Sequence, residues 1–120
     1  MNTKELGKQG EQIAIDYLRK SGYKILEKNF RNRFGEIDIV AKEKGTFCFI
    51  EVKTRSNLNF GVPKESVTIS KQRRLNKIAL SYLKKYNLLD TPARFDLVSV
   101  LISQQQIKVE LLKNAFFVDQ

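Results

Sequence analysis

Residues 36–54 constrain the fold more than any other stretch. Two runs rich in β-branched and aromatic residues, Glu36 to Lys42 and Phe47 to Thr54, flank Glu43-Lys44-Gly45-Thr46, which predicts a tight hairpin. Side chains alternate across a strand. Ile37, Ile39 and Ala41 therefore share one face, and Glu36, Asp38 and Val40 the other. On the partner strand Cys48, Ile50 and Val52 share a face, opposite Phe47, Phe49, Glu51 and Lys53. One face of the hairpin is wholly apolar, and the second is apolar near the turn. Such strands must be covered on both sides.

Helical periodicity supplies the cover. Residues 3–21 read as a helix with Thr3 as N-cap, an apolar stripe of Leu6, Ile13, Ala14, Tyr17 and Leu18, and Gly22 as its stop. Tyr23 to Leu26 reads as a short strand. Ser56 to Glu65, with Asn57, Asn59, Gly61 and Pro63, reads as a loop. Ser70 to Tyr86 is the second helix, with Leu75, Ile78, Ala79, Tyr82, Leu83 and Tyr86 on its apolar face. After Asp90-Thr91-Pro92, strands at Phe95 to Ile102 and Ile107 to Leu112 form a second hairpin around Ser103-Gln104-Gln105-Gln106. This order predicts one α/β domain over residues 1–120, a central mixed sheet flanked by helices.

The chain carries 22 Lys and Arg against 13 Asp and Glu, a net charge of +9. An excess of this size suits a polyanion, because basic side chains neutralise phosphates and release counterions; solubility is the plainer explanation. There is no His and one Cys, Cys48, which excludes a Ser-His-Asp triad, a histidine-ligated zinc site and a disulfide within the chain. Acid–base or metal chemistry must rest on carboxylates and lysines. No apolar run is long enough for a membrane span and no signal-peptide core opens the chain, so the expectation is cytoplasmic, with no membrane partner.

The charged end of the hairpin is where such chemistry would sit. A symmetric turn at Lys44-Gly45 sets Asp38 opposite Glu51, Val40 opposite Phe49 and Glu36 opposite Lys53. Like charges facing each other at about 4.5–5.5 Å between Cβ atoms are destabilising and need a cation. Lys53 can be that cation, making a structural ion-pair network. Alternatively Mg²⁺ or Mn²⁺ binds both carboxylates and keeps water on its remaining positions, with Lys53 orienting or deprotonating an attacking water, the arrangement phosphodiester hydrolysis needs. The pattern alone leaves both readings open.

Gly35-Glu36-Ile37-Asp38 followed by Glu51-Val52-Lys53-Thr54-Arg55 resembles the YraN-like family of small bacterial proteins. That family is similar to the PD-(D/E)XK nucleases and to archaeal Holliday junction resolvases. The resemblance extends through Gly7, Gly10, Glu11 and Ala14, Gly22-Tyr23, Asn29-Phe30, Phe60-Gly61, Lys71, Ala79, Arg94-Phe95-Asp96 and Asn114-Ala115-Phe116. Where the nuclease signature has Pro before its Asp, Ile37 stands here. The resemblance implies a restriction-endonuclease-like fold, Asp38 and Glu51 as metal ligands with the Val52 backbone carbonyl completing them, and Lys53 as the catalytic lysine. It also implies a first-helix glutamate near the metal, through water, in the place of Glu11; without it, Glu11 is a helix-edge residue swinging to solvent.

Glu36 is expected to orient Lys53. Arg31, Arg33 and Arg55 beside the hairpin, and Lys71, Arg73, Arg74 and Lys77 on the second helix, are candidate phosphate contacts. Cys48 is expected in the core, Arg94 and Asp96 as an ion pair, and Phe116 and Phe117 as a docking or partner surface. The functional expectation is a Mg²⁺- or Mn²⁺-dependent DNA endonuclease, acting on branched DNA by resemblance and as a homodimer if it cuts two symmetric strands. The rivals are a non-catalytic nucleic-acid-binding or scaffold module and a protein-interaction domain.

Overall fold

The computed structural model describes residues 2–56 and 67–117. Helix α1 (Thr3–Lys20) precedes strands β1 (Lys24–Asn32), β2 (Gly35–Glu43) and β3 (Thr46–Arg55); helix α2 (Ile69–Lys85) follows, then β4 (Ala93–Ile102) and β5 (Ile107–Phe117). The strands form one five-stranded sheet in sequence order. Neighbours are antiparallel except β3 and β4, which run parallel. The parallel pair follows from α2, since strands joined by a crossover helix can run the same way. The mixed α/β sheet between helices is the expected architecture.

The helices cover opposite faces. α1 lays Ala14, Ile15 and Leu18 on Ile39, Ala41, Cys48, Ile50, Val98 and Val100. α2 lays Leu75, Ile78, Ala79, Tyr82 and Leu83 on Val40, Phe47, Phe49, Phe95 and Leu97. Alternate residues of β3 thus enter separate cores, and Cys48 is buried as expected. Phe49 meets Tyr82 edge-on with centroids 5.6 Å apart, and burying a side chain of that size contributes roughly 2–3 kcal/mol.

The helix ends show where local signals compete. Asn2, not Thr3, caps α1: its side chain accepts from the Glu5 N–H at 2.8 Å. Either type can cap, and the chain enters the helix extended at Asn2. At the other end Gly22 adopts φ +95°, and the Tyr23 and Gly22 N–H groups bond the Leu18 and Arg19 carbonyls, the double closure of a Schellman motif. Tyr17, expected in the stripe, is 38% exposed, while Ile15 is buried. The helix docks through a slightly rotated face.

Two strands run longer than the sequence suggests. β1 reaches Asn32 rather than ending at Leu26, because the register slips between Ile25 and Glu27 and breaks the alternation that marks a strand. β5 reaches Phe117 past a slip opposite Phe95/Leu97 and a left-handed residue, Asn114 (φ 54°), whose N–H donates to Asp96. Phe116 stacks on Phe95 at 4.4 Å. Residues 57–66, which hold Asn57, Asn59, Phe60, Gly61 and Pro63 of the expected loop, and the Phe117 side chain lie outside the described residues.

The Arg94–Asp96 pair exists, at 2.9 Å, inside a larger network. Arg94 also binds Glu43 at 2.6 Å, Lys113 binds Glu43 at 2.9 Å, and the Tyr23 hydroxyl donates to Asp96 at 2.7 Å. This explains how Glu43, placed in a turn by its sequence, is buried. No helix among the described residues is long and apolar enough to cross a membrane.

Candidate active site

Lys44 (φ 49°) and Gly45 (φ 82°) are both left-handed, the two-residue turn that suits a twisted hairpin. The turn sets Ile39 opposite Ile50 and Val40 opposite Phe49, the expected register. There the β2–β3 ladder ends. One residue beyond, the Asp38 carboxylate accepts from the Val52 backbone N–H at 2.8 Å, filling the place of a strand carbonyl. β2 stays paired with β1 through Ile37 and Glu36, but it has parted from β3.

The parting changes which faces the side chains take. Strict alternation puts Ile37 with Ile39, and Glu36 with Val40. Instead Ile37 packs in the α2-side core with Val40 and Phe49, and Glu36 lines a groove beside α1. Released from β3, the strand twists at Asp38. The expected facing of Glu36 and Lys53 disappears with it: Glu36 forms a 2.7 Å ion pair with Arg31 across β1.

Asp38 and Glu51 do meet, and they share a hydrogen bond. Burial first, then the hydrogen bond and charge of Glu51, push Asp38 up to about 8, against the pull of the Val52 N–H. Of the two, Asp38 is therefore the one that holds its proton more tightly. Burial opposes ionisation of Glu51 too, but the hydrogen bonds from Asp38 and Lys71 hold it below the ordinary glutamate value.

Lys71, expected to reach for phosphate from the second helix, is drawn into this cluster. Its Nζ lies 2.8 Å from Glu51 Oε2, with the lysine side chain 24% exposed and the glutamate 12%. Thr68 sets its position: the threonine caps α2 and accepts from the Lys71 N–H at 3.1 Å. Lys53 projects from β3 beside both. Burial and the neighbouring Lys71 hold Lys53 below the ordinary lysine value, opposed by the charges of Glu51 and Asp38.

Glu11 approaches from α1. Burial raises its carboxyl, a hydrogen bond with Asn29 lowers it, and its charge adds to the upward push on Asp38. With Lys8, Lys28, Asn29, Arg31 and Glu36 it lines a groove of about 580 Å³. Gly10 lets α1 come this close, since a Cβ there would overlap Thr54 of β3.

Asp38, Glu51 and Lys53 are thus together, with Glu11 at the edge. The basic candidates disperse: Arg31 is held by Glu36, Arg33 lies 4.8 Å over the Phe34 ring, and Arg73, Arg74 and Lys77 stand toward the outer side of α2. Arg55 ends β3, half-buried. Sequence reasoning misses the roles of Lys71 and Asn29 as partners of the two glutamates. The capping Thr68 three residues before Lys71 is the one local sign of where that lysine starts.

Among the described residues no three His, Cys, Asp or Glu side chains converge closely enough to hold a metal ion by themselves. Two facing carboxylates nevertheless suit Mg²⁺ or Mn²⁺, which bind through one or two carboxylates and retain water. A strand residue turns its N–H and C=O to the same side. Because the Val52 N–H meets Asp38, its carbonyl opens toward the gap left by β2. Lys71 shows that the position already attracts a cation. The donor set fits.

In overall shape the chain is similar to Archaeoglobus fulgidus Hjc, described as a Holliday junction resolvase from an archaeal hyperthermophile, with TM-score 0.48 and 18% identity over 86% of this chain and 72% of that one. It is also similar to Pyrococcus furiosus SfsA, solved in complex with Ca²⁺, with TM-score 0.42 and 13% identity over 93% of this chain and 64% of that one. In sequence it is 50% identical over 113 residues to a UPF0102 protein of Thermodesulfovibrio yellowstonii, covering 94% of this chain and 96% of that protein. It is 48% identical over 116 residues to a UPF0102 protein of Geobacter metallireducens, covering 97% and 95%. The profile of Uncharacterised protein family UPF0102 matches residues 10–100. The YraN-like resemblance read from Gly35-Glu36-Ile37-Asp38 and Glu51-Val52-Lys53 therefore holds, and the chain belongs to the UPF0102 family.

Proposed function

We propose that this protein is a Mg²⁺- or Mn²⁺-dependent DNA endonuclease whose catalytic residues are Asp38, Glu51 and Lys53, with Glu11 supporting the site. One observation carries the reading: two half-buried carboxylates share a hydrogen bond where β2 parts from β3, with Lys53 on the neighbouring position of the same strand face. A fold that needed only stability would not retain this, since facing carboxylates cost free energy that an apolar pair would not.

Asp38, Glu51 and the Val52 carbonyl would hold the ion. When bound, the ion neutralises charge on the scissile phosphate and acidifies a water. Lys53, beside both carboxylates, would orient the attacking water and, in its neutral form, take the water's proton on Nζ. Glu11 shares the groove with Lys8, Lys28 and Arg31, which hold a phosphodiester strand beside the carboxylates. Arg33, Arg55, Arg73, Arg74 and Lys77 extend the phosphate contacts. A four-way junction is the favoured substrate, with a homodimer supplying two sites; the reaction belongs in the cytoplasm.

A second reading has its own observation. Lys71 already neutralises Glu51, as a DNA-binding module without catalysis would require. Incubating the protein with four-way junction, flap, single-stranded and duplex DNA, each with Mg²⁺, Mn²⁺ or EDTA, separates the two. Metal-dependent cuts that vanish in Asp38→Asn support the nuclease. Salt-sensitive binding of all four DNAs with no cut under any metal supports the module.

A further inference from the structure

The ion pair of Lys71 with Glu51 is the least expected contact in the site. Lysines on exposed helices reach water; this one is three-quarters covered and directs its charge at a carboxylate of the site. Its start point is fixed by the Thr68 cap, and its reach by the docking of α2 through Leu75 and Ile78 on the face that carries Phe49 and Glu51. Lys53 lies beside it, and the like charge of Lys71 helps hold Lys53 below the ordinary lysine value. The ammonium therefore lies against one of the oxygens that a hard divalent ion would need.

From this geometry we infer that Lys71 is a built-in competitor for the metal: its ammonium holds Glu51 in the metal-free protein and must leave before a divalent ion is bound. The inference rests on the metal-site reading above and adds to it a residue that sets metal affinity. Displaced from Glu51, Lys71 remains within reach of any phosphate beside the ion, so metal and nucleic acid binding support each other. A polyanion draws the lysine away and leaves the carboxylates free. Without it, the closed pair keeps the affinity for metal low, because binding to a minority state is weakened by the fraction of molecules in that state.

Lys71→Met keeps the length of the side chain and removes its charge. Isothermal titration of the full chain with Mn²⁺, free of DNA, should show binding at least about threefold tighter than wild type, as expected when an occluded state is abolished. Lys71→Arg keeps a cation on Glu51 and should bind Mn²⁺ no tighter than wild type. Arg73→Met removes the same unit of charge from an exposed position on the same helix and controls for the general field. It should change the affinity less than Lys71→Met does. If Lys71→Met binds Mn²⁺ equally or more weakly while wild type binds it, the inference fails and the metal site stands. An effect matched by Arg73→Met also overturns it. If neither wild type nor Lys71→Met binds Mn²⁺ at millimolar concentration, the metal-site reading itself falls. Should Lys71→Met fail to fold, the Arg variant decides: Mn²⁺ binding tighter than wild type there would contradict a retained cation.

Discussion

The backbone N–H of Val52 donates to the side chain of Asp38 at 2.8 Å, where a β2 carbonyl would otherwise have received it. This single substitution of side chain for main chain lets β2 leave β3 without stranding a half-buried donor; a fully buried one would cost about 1–3 kcal/mol. It also turns the Asp38 carboxylate toward Glu51. The cluster exists because the sheet opens there, and the sheet can open because Asp38 closes the hydrogen bond.

Asp38→Asn should separate charge from shape. The amide oxygen can still accept from Val52 and its NH₂ can donate to Glu51, so the metal-free variant should melt no lower than wild type at pH 8. Asp38 has a folded value raised to about 8 from the usual carboxylate range. The stability this group contributes is therefore fully present below about pH 4 and disappears as pH rises through about 8. Wild-type melting temperature, measured without metal, should fall across that window relative to Asp38→Asn. Mn²⁺ should then raise the wild-type value at pH 8 and leave the variant's nearly unchanged. A variant that melts lower without metal, beside a wild type indifferent to Mn²⁺, would return the pair to a structural ion network.

Gly10→Ala should destabilise, although alanine favours a helix by about 1 kcal/mol. The new Cβ would overlap Thr54. Forced repacking of this kind costs typically about 1–3 kcal/mol, so the overlap outweighs the helix preference. Denaturant melts of Gly10→Ala, Thr54→Ala and the double variant form a cycle. Coupling near zero would mean that α1 does not rest on β3 here.

Arg94→Met removes a cation that serves Asp96 and Glu43 at once. Loss of one partner from a buried pair costs about 3–5 kcal/mol, and most of that should be visible in chemical unfolding. Lys113→Met should cost far less, because its side chain is half exposed and Arg94 still satisfies Glu43. Equal losses in the two variants would contradict the burial difference.

Charge reversal of Arg73, Arg74 and Lys77 to Glu tests the outer side of α2. These side chains lie outside the two cores, so the melting temperature should change little. Duplex or junction DNA binding should weaken, and the slope of log affinity against log salt should shrink by roughly 0.9 for each phosphate no longer neutralised. Wild-type affinity that is flat between low and physiological salt would favour a protein partner instead.

The hairpin register, the burial of both faces near its turn, the two helices and the meeting of Asp38 with Glu51 are all legible in the sequence. Each depends on a period of two or of 3.6 residues and on a turn that two residues, Lys44 and Gly45, determine locally. β1 reads short because the register slip at Leu26 erases the alternation on which that reading relies. Only the tertiary structure decides the partners of long side chains. Lys71 meets Glu51, Glu36 meets Arg31 rather than Lys53, and Glu43 gathers Arg94 and Lys113. A lysine or arginine reaches several ångströms in any direction from its backbone. Where its charge ends up depends on how α2 and β5 dock onto the sheet and on where β2 leaves β3. Those are properties of packing between elements, and no periodicity within one element carries them.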